Sequence, residues 1–264
     1  MKLGFIGCGN MAQAMIKGII EQEILQPSEI IASDAYKEGL EKVALMLGIN
    51  TTDSNKAVVE KADIVFLAVK PYLYEAVAKE VKEFVKPNQI IVTIAPGKTI
   101  SWIKEQFYAE TKVVRTMPNT PSMVGEGMTG LCHSDNITKE EIDYVCSLFR
   151  GFGRVEIVPE YLMDVVVAVS SSSPAYVFMF IEAMADAASA DGMTREQAYQ
   201  FAAQAVYGSA KMILETRKHP GELKDMVCQP GGTTLEAIRV LENHRLRSSI
   251  FEAMKACVAH ARKM

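Results

Sequence analysis

Lys2-Leu3-Gly4-Phe5-Ile6-Gly7-Cys8-Gly9-Asn10-Met11-Ala12 opens the chain and decides how the rest is read. An apolar strand over Lys2–Gly7 runs into G-x-G-x-x-A, and an amphipathic helix follows over Met11–Glu23. In that setting Gly7 permits a tight turn, Gly9 lets the main chain approach a pyrophosphate, and Ala12 lets helix pack closely on strand. The helix start, Asn10 and Met11 with Cys8 before them, offers unpaired N–H groups and a positive dipole end to phosphate. Glycines needed only for packing are the competing explanation. The strand before and the helix after favour a dinucleotide site.

Outward from this turn, short β-branched runs alternate with helical stretches through residue 160. Strands are predicted at Glu29–Ser33, Ile64–Val69, Gln89–Ile94, Lys112–Thr116, Met128–Cys132 and Arg154–Val158. Helices are predicted at Lys37–Gly48, Leu73–Phe84 and Lys139–Gly151. This alternation gives an α/β fold, a doubly wound and mainly parallel sheet with helices on both faces. After Pro159 the strand signal stops. The chain therefore divides into a dinucleotide-binding domain, residues 1–160, and an all-α domain, residues 161–264. Interruptions of that helical half are predicted at Ser170–Pro174, Ala190–Met193, His219–Gly221 and Gln229–Gly232. Gln197–Thr216 carries twelve apolar residues, placed all round the helix, and two charges, Lys211 and Glu215. A helix apolar on every face is buried on every face. Either a monomeric bundle or a second subunit covers it, and about 100 helical residues favour the second, most simply a two-fold dimer.

The composition narrows the function classes. The 264 residues hold 28 Lys plus Arg against 32 Asp plus Glu and are 49% hydrophobic, which favours collapse over disorder. A net charge of -4 argues against broad nucleic-acid binding. No apolar run is expected to reach the ~20 residues of a membrane span, and the N-terminus does not read as a signal peptide. The five cysteines, at 8, 132, 146, 228 and 257, contain no C-x-x-C pair and read as reduced thiols of a cytoplasmic protein. The four histidines show no metal spacing, so no metal is expected.

Further ligand-side residues lie at other strand ends. Asp34 follows the second strand, 22 residues beyond Ala12, where an acidic residue binds the adenine ribose 2′-OH. It would repel a 2′-phosphate unless Lys37 offset it, and a helix cap is the alternative role. Ala68-Val69-Lys70-Pro71 and Ala95-Pro96-Gly97 stand at carboxyl ends of strands, where open α/β sheets bind ligands. Thr116–Pro121 either walls a nicotinamide or is a simple crossover. In the helical half, Cys228-Gln229-Pro230-Gly231-Gly232-Thr233-Thr234-Leu235-Glu236 pairs two glycines with a predicted Thr233/Glu236 capping box. Its N–H groups and the Thr234 hydroxyl would form a carboxylate cradle. Ser170-Ser171-Ser172-Ser173-Pro174 is read either as a helix break capped by Ser173 or as a polar pocket wall.

The chain resembles the pyrroline-5-carboxylate reductase family in GFIGCGNMA, FLAVKP, VRTMPNTP, GEGMTG, SSPAYVFMFIEA, HPGELKDMV and PGGTTLEAIRVLE, in family order from residue 1 to about 260. The resemblance implies a Rossmann domain followed by a helical dimerisation domain, an interlocked homodimer, and assembly as a pentamer of dimers. It implies cytoplasmic reduction of 1-pyrroline-5-carboxylate to L-proline, with NADPH and sometimes NADH. Gly7, Cys8, Gly9, Asn10 and Met11 would hold the pyrophosphate, with Asn55 on the adenosine side, where the strand-end reading already puts Asp34. Ala68, Val69, Lys70, Pro71, Ala95 and Gly97 would flank the dinucleotide. Gly232, Thr233 and Thr234 would hold the substrate carboxylate, Thr234 would also lie near the ring nitrogen as the catalytic residue, and Ser172 and Ser173 would line the substrate.

Four positions depart from the family pattern. Ser171 replaces a glycine, Pro96 an alanine and Gln229 a serine, and Asp34 is less expected where NADPH is preferred. Hydride transfer to a protonated imine requires no covalent nucleophile and no metal, which fits a sequence without a triad. Two alternatives share the N-terminal half. A different imine or β-hydroxyacid reductase would lack PGGTT, and a non-catalytic dinucleotide-binding sensor is favoured only by Ser171 and Pro96.

Overall fold

The computed structural model describes residues 2–263. Its eight strands are β1 (Leu3–Ile6), β2 (Ile30–Ser33), β3 (Asn50–Thr52), β4 (Ile64–Leu67), β5 (Ile90–Thr93), β6 (Lys112–Met117), β7 (Gly127–His133) and β8 (Gly153–Ile157). They form one sheet in the order β3-β2-β1-β4-β5-β6-β7-β8. Only the β6–β7 pairing is antiparallel among these strands. The seven expected strands are all present. The additional one, β3, is a three-residue edge strand, Asn-Thr-Thr, without the apolar residues that mark the others.

β1, β2, β4 and β5 are buried at every residue because helices cover both faces. On one face Phe5 stacks on Phe66 with centroids 4.8 Å apart, and Phe66 meets Phe149 at 5.7 Å. Helices α1 (Asn10–Glu21), α2 (Lys37–Leu47) and, further along the chain, Lys139–Arg150 supply that layer. The other face packs Ile6, Val65, Leu67 and Ile91 against α3 (Asn55–Lys61), α4 (Tyr74–Val81) and α5 (Ile100–Gln106). Since β1, β2, β4, β5 and β6 run parallel, their carboxyl ends share one edge. The chain leaves β1 for β2 on one side and returns to β4 on the other, which opens a crevice at that edge.

With α6 being Lys139–Arg150, α7 (Met163–Val166) follows β8. The interruption expected at Ser170–Pro174 does not occur. α7 passes through a π-helical stretch, Val167–Ser172, into α8 (Ser173–Ala190). Pro174 has no N–H for the Ser170 carbonyl, and that carbonyl instead accepts Asn119 Nδ2 at 3.1 Å. The widened turn thus satisfies groups that would otherwise end the helix. Continuity also overturns the expectation about apolar length: among the described residues Glu160–Ala190, 31 residues with hydropathy 1.5, is long and apolar enough to cross a membrane. Its first turns are anchored in the sheet unit, where Met163 and Ala168 are fully buried.

The chain separates into two compact units. One runs from the sheet through Ser172 and regains the chain at Cys257; the other is Ser173–Ala256. The second contains α8, α9 (Arg195–Thr216), α10 (Pro220–Val227), α11 (Thr233–Asn243) and most of α12 (Leu246–Ala261). The turn between α11 and α12 was not anticipated, because Arg245 makes it with φ +58 and no glycine. Within Ser173–Ala256 the buried residues are three alanines, Ala185, Ala198 and Ala202. They let α8 and α9 approach closely while the large side chains face outward: Phe178 is 63% exposed, Phe201 68% and Leu214 53%.

Such a unit lacks a core of its own, since each large apolar side chain yields about 1.5–3 kcal/mol only when covered. It is built to self-associate. Phe201→Glu and Leu214→Glu, on opposite sides of α9, are each expected to shift the chain to a smaller species in sedimentation velocity and to lower its melting temperature by roughly 5 °C or more. Unchanged mass in both variants would mean that α9 is covered in another way.

Candidate functional site

The crevice at the carboxyl edge is a cleft of ≈ 730 Å³ within the sheet unit. Gly7, Gly9, Asn10, Met11, Asp34, Asn55, Ala68, Val69, Lys70, Pro71 and Ala95 line it together. Two expected residues do not. The Cys8 side chain is buried behind the turn, where burial and then the Asp34 charge push its thiol up to about 11. Gly97 lies beyond the lining, in a turn at φ +75. Sequence reasoning missed Ala76, Val77 and Glu80, which reach the cleft from the side of α4 and carry no motif.

The glycine turn is held from several directions. Gly7 N–H donates to the Ser33 carbonyl at 2.8 Å, and Gln13 Nε2 donates to the Cys8 carbonyl at 2.8 Å. α1 starts at Gly9 without a side-chain cap. Asp34 joins this turn rather than capping a helix: its Oδ2 accepts Cys8 N–H at 2.7 Å and its Oδ1 accepts Tyr36 N–H at 2.9 Å. Tyr36, not Asp34, is the N-cap of α2. Lys37, expected to offset Asp34, instead pairs with Asp53 at 3.5 Å. Asn55 is fixed at both ends, its Oδ1 accepting Ser33 Oγ at 2.7 Å and its Nδ2 donating to Glu80 Oε2 at 2.8 Å.

Behind Ala95 lies a buried hydroxyl relay. Tyr74 donates to the Leu67 carbonyl at 2.5 Å, Thr93 donates to the Tyr74 oxygen at 3.1 Å, and Thr116 donates to the Thr93 carbonyl at 2.9 Å. Burial pushes the Tyr74 phenol up to about 12, so it stays neutral and structural. Thr120 and Met123, after β6, wall the cleft. Asn119 in that loop accepts Met128 N–H at 2.9 Å and donates to Ser170, which pins the loop to the π-helical stretch. Ser171 donates to the Pro118 carbonyl at 3.4 Å, with no positive φ at that position, so a side chain in place of glycine costs no backbone strain. Ser172 Oγ accepts the Cys257 thiol at 3.3 Å. Ser173 opens α8.

In the helical unit, Gly231 takes φ +70 and Gly232 is the N-cap of α11. The predicted capping box is absent. Thr233 and Thr234 are already the first two helical residues, and Glu236 pairs with Arg239 at 3.0 Å. No side chain caps the start of α11 among the described residues; Gly232 N–H bonds the Gln229 carbonyl and Leu235 N–H the Gly232 carbonyl, which leaves the N–H groups of Thr233 and Thr234 for an anion, with the half-buried Thr234 hydroxyl beside them.

Comparison with known proteins supplies the context. The family described as pyrroline-5-carboxylate reductase dimerisation matches residues 160–264. The one described as NADP oxidoreductase, coenzyme F420-dependent, matches residues 2–97. A pyrroline-5-carboxylate reductase of Escherichia coli is 47% identical over 100% of this chain and 98% of that relative. A pyrroline-5-carboxylate reductase structure from Coxiella burnetii superposes with a TM-score of 0.93 at 35% identity, covering 99% of this chain and 97% of that one. A Plasmodium falciparum pyrroline carboxylate reductase with NADP bound superposes with a TM-score of 0.90 at 29% identity, covering 100% and 97%. With a relative this similar over its whole length, the chain belongs to the pyrroline-5-carboxylate reductase family.

Proposed function

We propose that the protein reduces 1-pyrroline-5-carboxylate to L-proline in the cytoplasm, using NADPH or NADH. Residues 1–160 would bind the dinucleotide, and residues 161–264 would bind the substrate and a second copy. The observation that carries the reading is a contrast between two glycines. A Cβ on Gly7, at φ +95, would lie 2.7 Å from the backbone of Ala68, so folding alone requires that glycine. A Cβ on Gly9 would meet nothing within 4 Å, so packing does not explain it. The open space over Gly9, at the start of α1, is what a pyrophosphate would fill.

The bound dinucleotide would supply a hydride to C5 of the pyrroline ring, while a proton is added at the ring nitrogen. The turn from Gly7 through Cys8 to Met11 would hold phosphate, with Gly7 and Cys8 shaping it through N–H bonds to Ser33 and Asp34 and the N–H groups of Gly9, Asn10 and Met11 facing the ligand. Asp34 and Asn55 would face the adenosine. Ala68, Val69, Lys70, Pro71 and Ala95, with Gly97 behind them, would confine the rest of the dinucleotide. Gly232, whose own N–H is donated to the Gln229 carbonyl at 3.0 Å, would shape the turn, the N–H groups of Thr233 and Thr234 would bind the substrate carboxylate, and Ser172 and Ser173 would lie along the ring. Thr234 would orient the ring nitrogen, which either its hydroxyl or solvent protonates. Because a protonated imine is already electrophilic, positioning would be the main contribution of these residues.

The outward-facing helical unit supports an interlocked homodimer, and a pentamer of such dimers is compatible with it. The five unpaired cysteines support a reducing compartment. The net charge of -4 supports an assembly without nucleic acid.

Oxidation of NADPH or NADH in the presence of 1-pyrroline-5-carboxylate is the direct test, and no turnover with either would reject the activity. Gly9→Ala is expected to weaken dinucleotide binding at least tenfold with a nearly unchanged melting temperature, whereas Gly7→Ala should lower the melting temperature itself. Equal thermal loss in both would remove the distinction. Thr234→Ala is expected to raise KM for the pyrroline by roughly tenfold or more, the scale of a lost hydrogen bond to a charged group. Dinucleotide affinity should stay within about twofold, and a matching loss there would mean that Thr234 is misplaced.

A further inference from the structure

Two carboxylates, Asp34 and Glu80, line the cleft, and neither has an ion-pair partner among the described residues. Asp34 stands at the end of β2 with its carboxylate 2.7 Å from Cys8 N of the glycine turn. Glu80 is tied to the same end through Asn55, which also holds Ser33. The cations nearby are already engaged. Lys37 pairs with Asp53 at 3.5 Å and Lys56 with Glu60 at 3.7 Å. The one cation lining the cleft, Lys70, follows β4, and β1 separates that strand from β2.

We propose that this arrangement selects NADH over NADPH, with Asp34 the specificity-determining residue and Glu80 reinforcing it. The proposal rests on the reading of the cleft as the dinucleotide site. An ionised carboxylate only accepts hydrogen bonds, so it suits a ribose diol and repels a 2′-phosphate. Each Asp34 oxygen accepts one backbone N–H, and each keeps a further lone pair for a ribose hydroxyl. Those two bonds also hold Asp34 in place, so it cannot easily swing away from a phosphate. NADPH binding would require breaking them, or drawing Lys37 from Asp53.

The test is equilibrium binding to the full-length protein, read from cofactor fluorescence, with ADP-ribose and 2′-phospho-ADP-ribose as competing probes. The wild type is expected to bind NADH and ADP-ribose at least tenfold more tightly than their 2′-phosphorylated counterparts. Asp34→Ser should shrink that ratio at least tenfold. Asp34→Asn, which keeps the shape and one acceptor, should shift it in the same direction if the larger change disturbs the turn. Glu80→Gln should shift it by a smaller factor. Equal wild-type affinity for both dinucleotides, or a ratio that moves less than twofold in both Asp34 variants, overturns the assignment while leaving the cleft as the site. Failure of all four probes to bind overturns the cleft reading as well.

Discussion

The close approach of Gly7 to the end of β4 is the constraint on which the rest of the sheet unit depends. Its N–H bonds the Ser33 carbonyl, and the neighbouring Ile6 carbonyl accepts Ala68 N–H at 2.8 Å, so one turn joins β2, β1 and β4. No side chain fits between Gly7 and the Ala68 backbone. The chain must therefore turn sharply into α1, with that helix's first N–H groups aimed over the strand ends. The crevice, the position of Asp34 and the path of Ala68–Pro71 all follow from this geometry. Had β1 ended in a larger residue, β4 would have been pushed away and the switch point would have lost its shape.

A second junction ties the sheet to the start of the helical half. Arg115 on β6 is 3% exposed and bonds Glu160 at 3.1 Å, with Asp164 at 3.7 Å. The same Glu160 oxygen accepts Ile100 N–H at 2.8 Å. Both acids keep contact with solvent, so the value of this pair lies in fixing direction more than in stability. A few residues on, Asn119 takes over, with its amide on Ser170 and its carbonyl oxygen on Met128. Together they anchor the segment from Glu160 to Ser170 within the sheet unit.

The legible parts of this sequence were those whose signal is local. The apolar strands and amphipathic helices announced themselves because both faces of the sheet are covered. β3 did not, being polar and held only by its register beside Ile31–Ser33. Four serines and a proline looked like a helix break because those residues favour breaks in isolation. Their fate was settled by Asn119, 51 residues earlier in the chain, and nothing local records that partner. Lys37 pairs with Asp53, from beyond β3, rather than with Asp34 for the same reason. At Thr233 the capping-box spacing was correct for a cap, yet the helix starts one residue earlier, with Gly232 as its N-cap.

A glycine N-cap marks two of the helix starts, while α2 and α4 begin on Tyr36 and Leu73, also without a side-chain cap. Ser54, Thr99, Thr138 and Thr194 each cap their helix with a side-chain oxygen. α1 and α11 begin instead on Gly9 and Gly232 with no side-chain cap. Glycine in that place costs only a few tenths of a kcal/mol relative to serine or threonine. For that small loss no side chain covers the N–H groups of Asn10 and Met11 at one start or of Thr233 and Thr234 at the other. These two starts are the ones proposed to take anions, a pyrophosphate at one and a carboxylate at the other. Hydride transfer to a protonated imine asks for two anionic groups to be held in fixed positions and for little else from side chains. The absence of a nucleophile motif and the bare helix starts are then consequences of one requirement, that orientation be supplied by the main chain.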